Sequence, residues 1–165
     1  MRDTNPNSEG QGQTTSLLRV LVVEDDPDTT TSLQWLMNRW GYHIEVCLTP
    51  SEALRIYPIY RPQVVFLDIG LPEMDGCELA RRLVGEVGVP RPLLVALTGY
   101  GRDEDRRRYT VAGFNYLLVK PAHPNLLRLV LDAEDDRLAG GVTPGLPRSS
   151  GRSNGLMQWD GAGRI

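Results

Sequence analysis

Cysteine is scarce in this chain. Only Cys47 and Cys77 occur among 165 residues, with no CxxC pair and no metal-ligand spacing. That argues against a thiolate metal site and a disulfide framework, and both thiols read as small buried or half-buried side chains. Long apolar runs are missing too, so no segment is suited to cross a bilayer. The N-terminus, Met1-Arg-Asp-Thr-Asn-Pro-Asn-Ser, lacks the apolar core of a signal peptide. A cytoplasmic protein without membrane contact is therefore expected. An excess of basic charge is also absent: the net charge is −3. No electrostatic footprint for nucleic acid exists, and direct DNA binding is not expected.

What is present is ordinary for a globular protein, with 41% hydrophobic and 24% charged residues. The length suits one domain with a real core. Residues 1–16 are rich in Asn, Gln, Gly, Ser and Thr without periodicity, which predicts a disordered segment. Residues 139–165 hold seven glycines with Pro144 and Pro147 and read as a flexible tail. Within that tail Leu156, Met157 and Trp159 form an apolar group, either incidental or a small docking motif. The folded unit is expected at 17–138.

Inside it strands alternate with helices. Apolar runs at 18–23, 43–48, 64–67, 93–97 and 116–119 predict strands, and the first is apolar throughout, as in a strand covered on both faces. Leu33, Leu36, Met37 and Trp40 lie at helical spacing before Gly41, with Asp28 or a neighbouring Thr as the expected cap. Further helices are predicted over 51–57, 76–87, 102–112 and 125–136. Leu79, Leu83 and Val87 would share the inner face of the third. Such alternation predicts an α/β fold with a doubly wound parallel sheet, but leaves the strand order open.

Four runs end in polar residues: Glu24 and Asp25, Asp68, Thr98, and Lys120. Parallel strands would gather these at one sheet edge, where open α/β sheets place their sites. Two carboxylates about 4 Å apart repel by about 4 kcal/mol at an effective dielectric near 20. Such a cluster needs a proton, a cation or a metal. Hard oxygen ligands with room for water suit Mg2+. An Asp between a divalent cation and an ammonium stays ionised and is a usable nucleophile. Cation, ammonium and hydroxyl together match the oxygens of a phosphoryl group, so the expected product is an acyl phosphate on Asp68. Taken singly, each residue has a plainer explanation. An acid after a strand is ordinarily a solvated loop residue or a helix cap, Thr98-Gly99 could open a turn, and Lys120-Pro121 could be a strand exit. Their recurrence at successive strand ends favours the site.

These residues resemble the receiver domain of bacterial two-component response regulators. The matching stretches are Val20-Leu-Val-Val-Glu-Asp-Asp-Pro, Val65-Phe-Leu-Asp-Ile-Gly-Leu-Pro-Glu-Met-Asp-Gly, Ala96-Leu-Thr-Gly and Ala112-Gly-Phe-Asn-Tyr-Leu-Leu-Val-Lys-Pro. The last is similar to receivers attached to hybrid sensor kinases. The resemblance implies a flavodoxin-like (βα)5 sheet in the order 2-1-3-4-5. It implies Asp68 as phosphoacceptor, Thr98 as the switch hydroxyl and Lys120 as the phosphate-pairing lysine. Mg2+ would be held by Asp25 directly, by Glu24 mainly through water, by Asp68, and by the Gly70 backbone carbonyl. Asp26 falls outside the metal set. The donor would be a phosphohistidine on a sensor histidine kinase or a histidine phosphotransfer protein.

Some positions depart from the family pattern. Glu24 stands where Asp is commoner. Leu117 occupies the place of the switch aromatic, and Tyr116 would face the other side of the sheet. Signalling is then expected either to rely on Thr98 and the loop after it, where Gly99 and Gly101 ease rearrangement, or to be weakly coupled. Gly70 offers no side chain to position water, and Tyr100 could cover the site, so self-dephosphorylation should be slow. The run Arg102-Asp-Glu-Asp-Arg-Arg-Arg108 reads as a solvated helix face rather than a partner patch. The 27 residues after the receiver cannot form an output domain. Output is therefore expected through a downstream protein target, by phosphorylation-dependent dimerisation of a monomer, or by onward phosphotransfer. Met1 and the tail favour a free-standing regulator. Two rival readings are a phosphorylation-independent docking module and a phosphatase. The phosphatase would want a second acid where Gly70 stands.

Overall fold

The computed structural model describes residues 18–99, 106–141 and 156–158. Its parallel strands are β1 (Arg19–Val23), β2 (His43–Cys47), β3 (Val64–Asp68), β4 (Leu93–Thr98) and β5 (Tyr116–Val119). Between and after them run α1 (Pro27–Arg39), α2 (Pro50–Tyr60), α3 (Gly76–Val84), α4 (Arg106–Ala112) and α5 (Pro124–Leu138). The parallel sheet has the order β2-β1-β3-β4-β5, and a sixth strand, β6 (Leu156–Gln158), lies antiparallel beside β5. The flavodoxin-like arrangement expected from the sequence is therefore present.

Strand alternation splits the core in two. Leu21, Val23, Val65, Leu67, Ala96 and Leu117 face a layer with Tyr57, Leu79, Leu83 and Tyr109 from α2, α3 and α4. Val20, Val22, Phe66, Val95, Tyr116 and Leu118 face Leu33 and Met37 of α1 and Leu127, Val130 and Leu131 of α5. Burial on both faces explains the uninterrupted apolar runs.

Several local expectations are corrected. The cap of α1 is Asp26, not Asp28 or a threonine: its carboxylate accepts from the amides of Asp28 (3.3 Å) and Thr29 (3.2 Å). Pro27 begins the helix and holds the residue before it extended, which leaves Asp26 as the cap. Helix α2 runs past Tyr57 with Pro58 inside it and ends on Arg61 at φ 52°. Thr49 caps it, accepting from the Glu52 amide at 3.2 Å. Helix α3 stops at Val84, so Val87 is 94% exposed instead of sharing the inner face. The expected start of α4 at 102–105 lies outside the described residues. Three residues of the stretch read as a flexible tail form β6. Both cysteines are free and buried.

Candidate functional site

Register places the polar strand ends side by side. Val23 pairs with Leu67, Asp68 with Leu97, and Thr98 with Val119. Backbone bonds continue this alignment past the last ladder rungs. Glu24 donates to the Cys47 carbonyl at 3.1 Å, Ile69 to Leu97 at 3.0 Å and Lys120 to Thr98 at 2.8 Å. Glu24, Asp68, Thr98 and Lys120 therefore stand at neighbouring carboxyl ends, and Asp25 follows on the exposed β1–α1 turn.

The Lys120 ammonium bridges two carboxylates, 2.5 Å from Glu24 Oε2 and 3.0 Å from Asp68 Oδ2. Glu24 is 2% exposed. Burial pushes its pKa above the usual carboxylate value. The Lys120 hydrogen bond opposes that shift, and the charge of Asp68 adds to it. Burial works against the Lys120 ammonium, but its contacts with Glu24 and Asp68 outweigh this and hold its pKa above the usual lysine value.

One oxygen from each of Glu24, Asp25 and Asp68 lies within 4.8 Å of the others. Three carboxylates thus crowd together, and two of them share the Lys120 ammonium. This donor set, made of hard oxygens with charge to spare, fits a small divalent cation. Asp26 does not join it, because its oxygens are engaged with the first turn of α1.

Two glycines shape the surroundings of Asp68. The Gly70 amide donates to Asp68 Oδ1 at 2.9 Å and fixes the carboxylate plane. A Cβ at Gly70 would lie 3.6 and 3.8 Å from the two carboxylate oxygens, so the approach stays open because no side chain is there. At Gly76 a Cβ would meet the Ile69 Cα at 2.7 Å and the Asp68 carbonyl oxygen still closer. Glycine is what lets α3 begin against the loop that carries Asp68. Asp75 caps that helix, accepting from the Cys77 amide at 2.7 Å, and pairs with Arg108 of α4. Burial raises the Asp75 pKa, but the Cys77 amide and Arg108 outweigh it, so it lies below the usual carboxylate value. The sequence reading missed both Gly76 and the Asp75–Arg108 link. The Asp75-Gly76 pair ahead of a helical pattern was the available signal, a cap followed by a close backbone approach.

Thr98 is buried at the end of β4. Tyr100, Gly101 and Arg102 lie outside the described residues. Leu117 and Tyr116 face opposite layers, so no aromatic side chain stands at the β5 position beside Thr98 on the Leu117 face. Beside Lys120 a cleft of about 570 Å³ opens between Asp28, Thr29 and Ser32 of α1 and Pro121 and Ala122 after β5.

Over residues 20–132 the sequence matches the response regulator receiver domain. The chain belongs to that family. An uncharacterized 14.6 kDa protein of Leptolyngbya boryana is 40% identical over 120 residues, covering 72% of this chain and 91% of that protein. The transcriptional regulatory protein TrcR of Mycobacterium tuberculosis is 35% identical over 106 residues, covering 64% of this chain. This chain spans 40% of TrcR's length. The CheY-like receiver domain protein of Methanospirillum hungatei has a TM-score of 0.68 at 28% identity, covering 76% of this chain and 100% of that one.

Receivers are signalling domains that partner histidine kinases or histidine phosphotransfer proteins and bind Mg2+ at an acidic pocket. The receiver described here carries such an acidic cluster. No helix among its described residues is long and apolar enough to cross a membrane.

Proposed function

We propose that Asp68 accepts a phosphoryl group from a phosphohistidine of a sensor histidine kinase or a histidine phosphotransfer protein. The observation that carries this reading is the double contact of Lys120 with Glu24 and Asp68 beside the three-carboxylate cluster. Glu24, Asp25, Asp68 and the Gly70 carbonyl would hold Mg2+. Bound there, the ion neutralises charge on the phosphoryl oxygens and on the crowded acids.

The chain's own groups divide the remaining work. A carboxylate oxygen of Asp68 attacks phosphorus, the P–N bond breaks, and the electron pair leaves with the imidazole, which keeps or takes up a proton. Gly70 N–H holds the carboxylate plane while this occurs. Lys120 can leave Glu24 and pair with a phosphoryl oxygen, and the Thr98 hydroxyl can serve another. With a hydrogen in place of a side chain at Gly70, nothing at that position orients a water behind phosphorus, which favours slow hydrolysis.

Phosphorylation adds about −1.5 to −2 charge. With Leu117 in the aromatic position, its effect reaches the surface through Thr98, the segment after it and α4. The expected consequence is a changed surface for a downstream protein target or a second copy. The test is labelling by acetyl phosphate or a kinase with Mg2+, comparing wild type with Asp68→Asn. Wild type should label and the variant should not; labelling that survives the substitution removes Asp68 from the role. Beryllofluoride binding with Mg2+ separates this reading from a phosphorylation-independent docking module, which would not bind it.

A further inference from the structure

The two edges of the parallel sheet are built differently. β2 carries His43 and Glu45 and is only partly buried before Cys47, so charge and solvation protect that edge. β5 reads Tyr-Leu-Leu-Val, without charge or proline, and Tyr116, Leu117 and Leu118 are buried. An apolar edge strand with free outward N–H and C=O groups is a template for pairing with another chain. Here β6 covers it. Gln158 pairs with Tyr116, Met157 with Leu117, and Leu156 with Leu118, all antiparallel.

We infer that residues 156–158 are a docking strand that caps the β5 edge within the same chain and closes it to other extended segments. Main-chain bonding supplies the attachment, as in strand addition to a sheet edge. The cap follows α5 by a stretch that tethers it near its target, and tethering raises its effective concentration over that of a free partner. Among the described residues the ladder is three pairs long, so the cap is displaceable by a longer strand. The capped strand also leads directly to Lys120, whose amide bonds to Thr98. The edge and the acidic cluster therefore share β5. The Leu156–Met157 part of the apolar group noted in the sequence thereby gains a role in the fold.

Hydrogen exchange on the full chain tests this without phosphate or metal, so its outcome is independent of the role of Asp68. In wild type the 116–118 amides facing β6 should be protected at all protein concentrations. Adjacent N–H groups of a strand point to opposite edges, so of Met157→Pro and Gln158→Pro the one whose N–H turns toward β5 removes a ladder donor and should speed their exchange by about tenfold, the scale of one net hydrogen bond. β4 should keep its protection in both variants, which shows that the fold survives. Equal exchange in wild type and both ladder variants overturns the cap. Protection that grows with protein concentration, together with a dimer in sedimentation, assigns the strand to a second copy and overturns the intramolecular form.

Discussion

Glu134 and Glu24 are both buried carboxylates in this receiver, yet their charges are met in opposite ways. Glu134, on α5, gives each of its oxygens to one guanidinium, with Arg137 Nε at 2.7 Å and Nη2 at 2.6 Å. That fork geometry satisfies the acid on its own helix. Glu24 instead shares the single Lys120 ammonium with Asp68. A buried acid that is fully served contributes structure alone. One that divides its cation with a second carboxylate, where the strand ends meet, keeps capacity for a ligand.

The sharpest way to break this contrast is Asp68→Asn, which should reduce phosphoryl labelling to background while the chain stays folded. The Glu134→Gln variant should label at the wild-type rate in the same assay. Next in size is Lys120→Met. Removing one partner of a buried ion pair costs about 3–5 kcal/mol. Lys120 is 29% exposed, so water offsets part of that, and a loss of about 1–3 kcal/mol is expected in chemical denaturation. Phosphotransfer should fall by about a hundredfold. Mg2+ should bind more tightly, because the competing ammonium is gone.

A pH series sharpens the comparison further. Burial raises the Glu24 pKa, so its contribution to stability is present below the unfolded value and is lost as pH rises through the folded one. A divalent cation binds the ionised acids and offsets that loss. The gain in Tm on adding Mg2+ should therefore increase as pH rises through the elevated Glu24 range; a gain independent of pH would contradict the site. Asp75 runs the other way. Its lowered pKa gives stability that is present above the unfolded value and lost as pH falls through the folded one. Asp75→Asn should remove that acid-side increment. The smallest effect is expected for Glu134→Gln, below about 1 kcal/mol in denaturation, since Arg137 is largely exposed and its pairing is screened.

The strand runs were readable because both faces of each are buried, which leaves a continuous apolar signal. The polar residues closing those runs were equally visible, since parallel strands bring their ends together whatever the loops do. Helix boundaries were harder. Asp26 and Asp28 are chemically alike, and the extended conformation imposed by Pro27 chose between them. Val87 has the right spacing for α3, but the helix ends three residues earlier, at Val84. The β6 register could not be read from three residues, because so short a segment carries no periodicity.

The order of amino acids alone dictates the alternation of strands and helices and the cluster of acids, hydroxyl and ammonium at one sheet edge, because burial and strand polarity follow from local patterns. Three-dimensional packing had to choose which oxygens meet Lys120, why Gly76 must lack a side chain, and which segment closes the β5 edge. Those contacts join residues far apart in the chain, and a local pattern holds no record of distance between them.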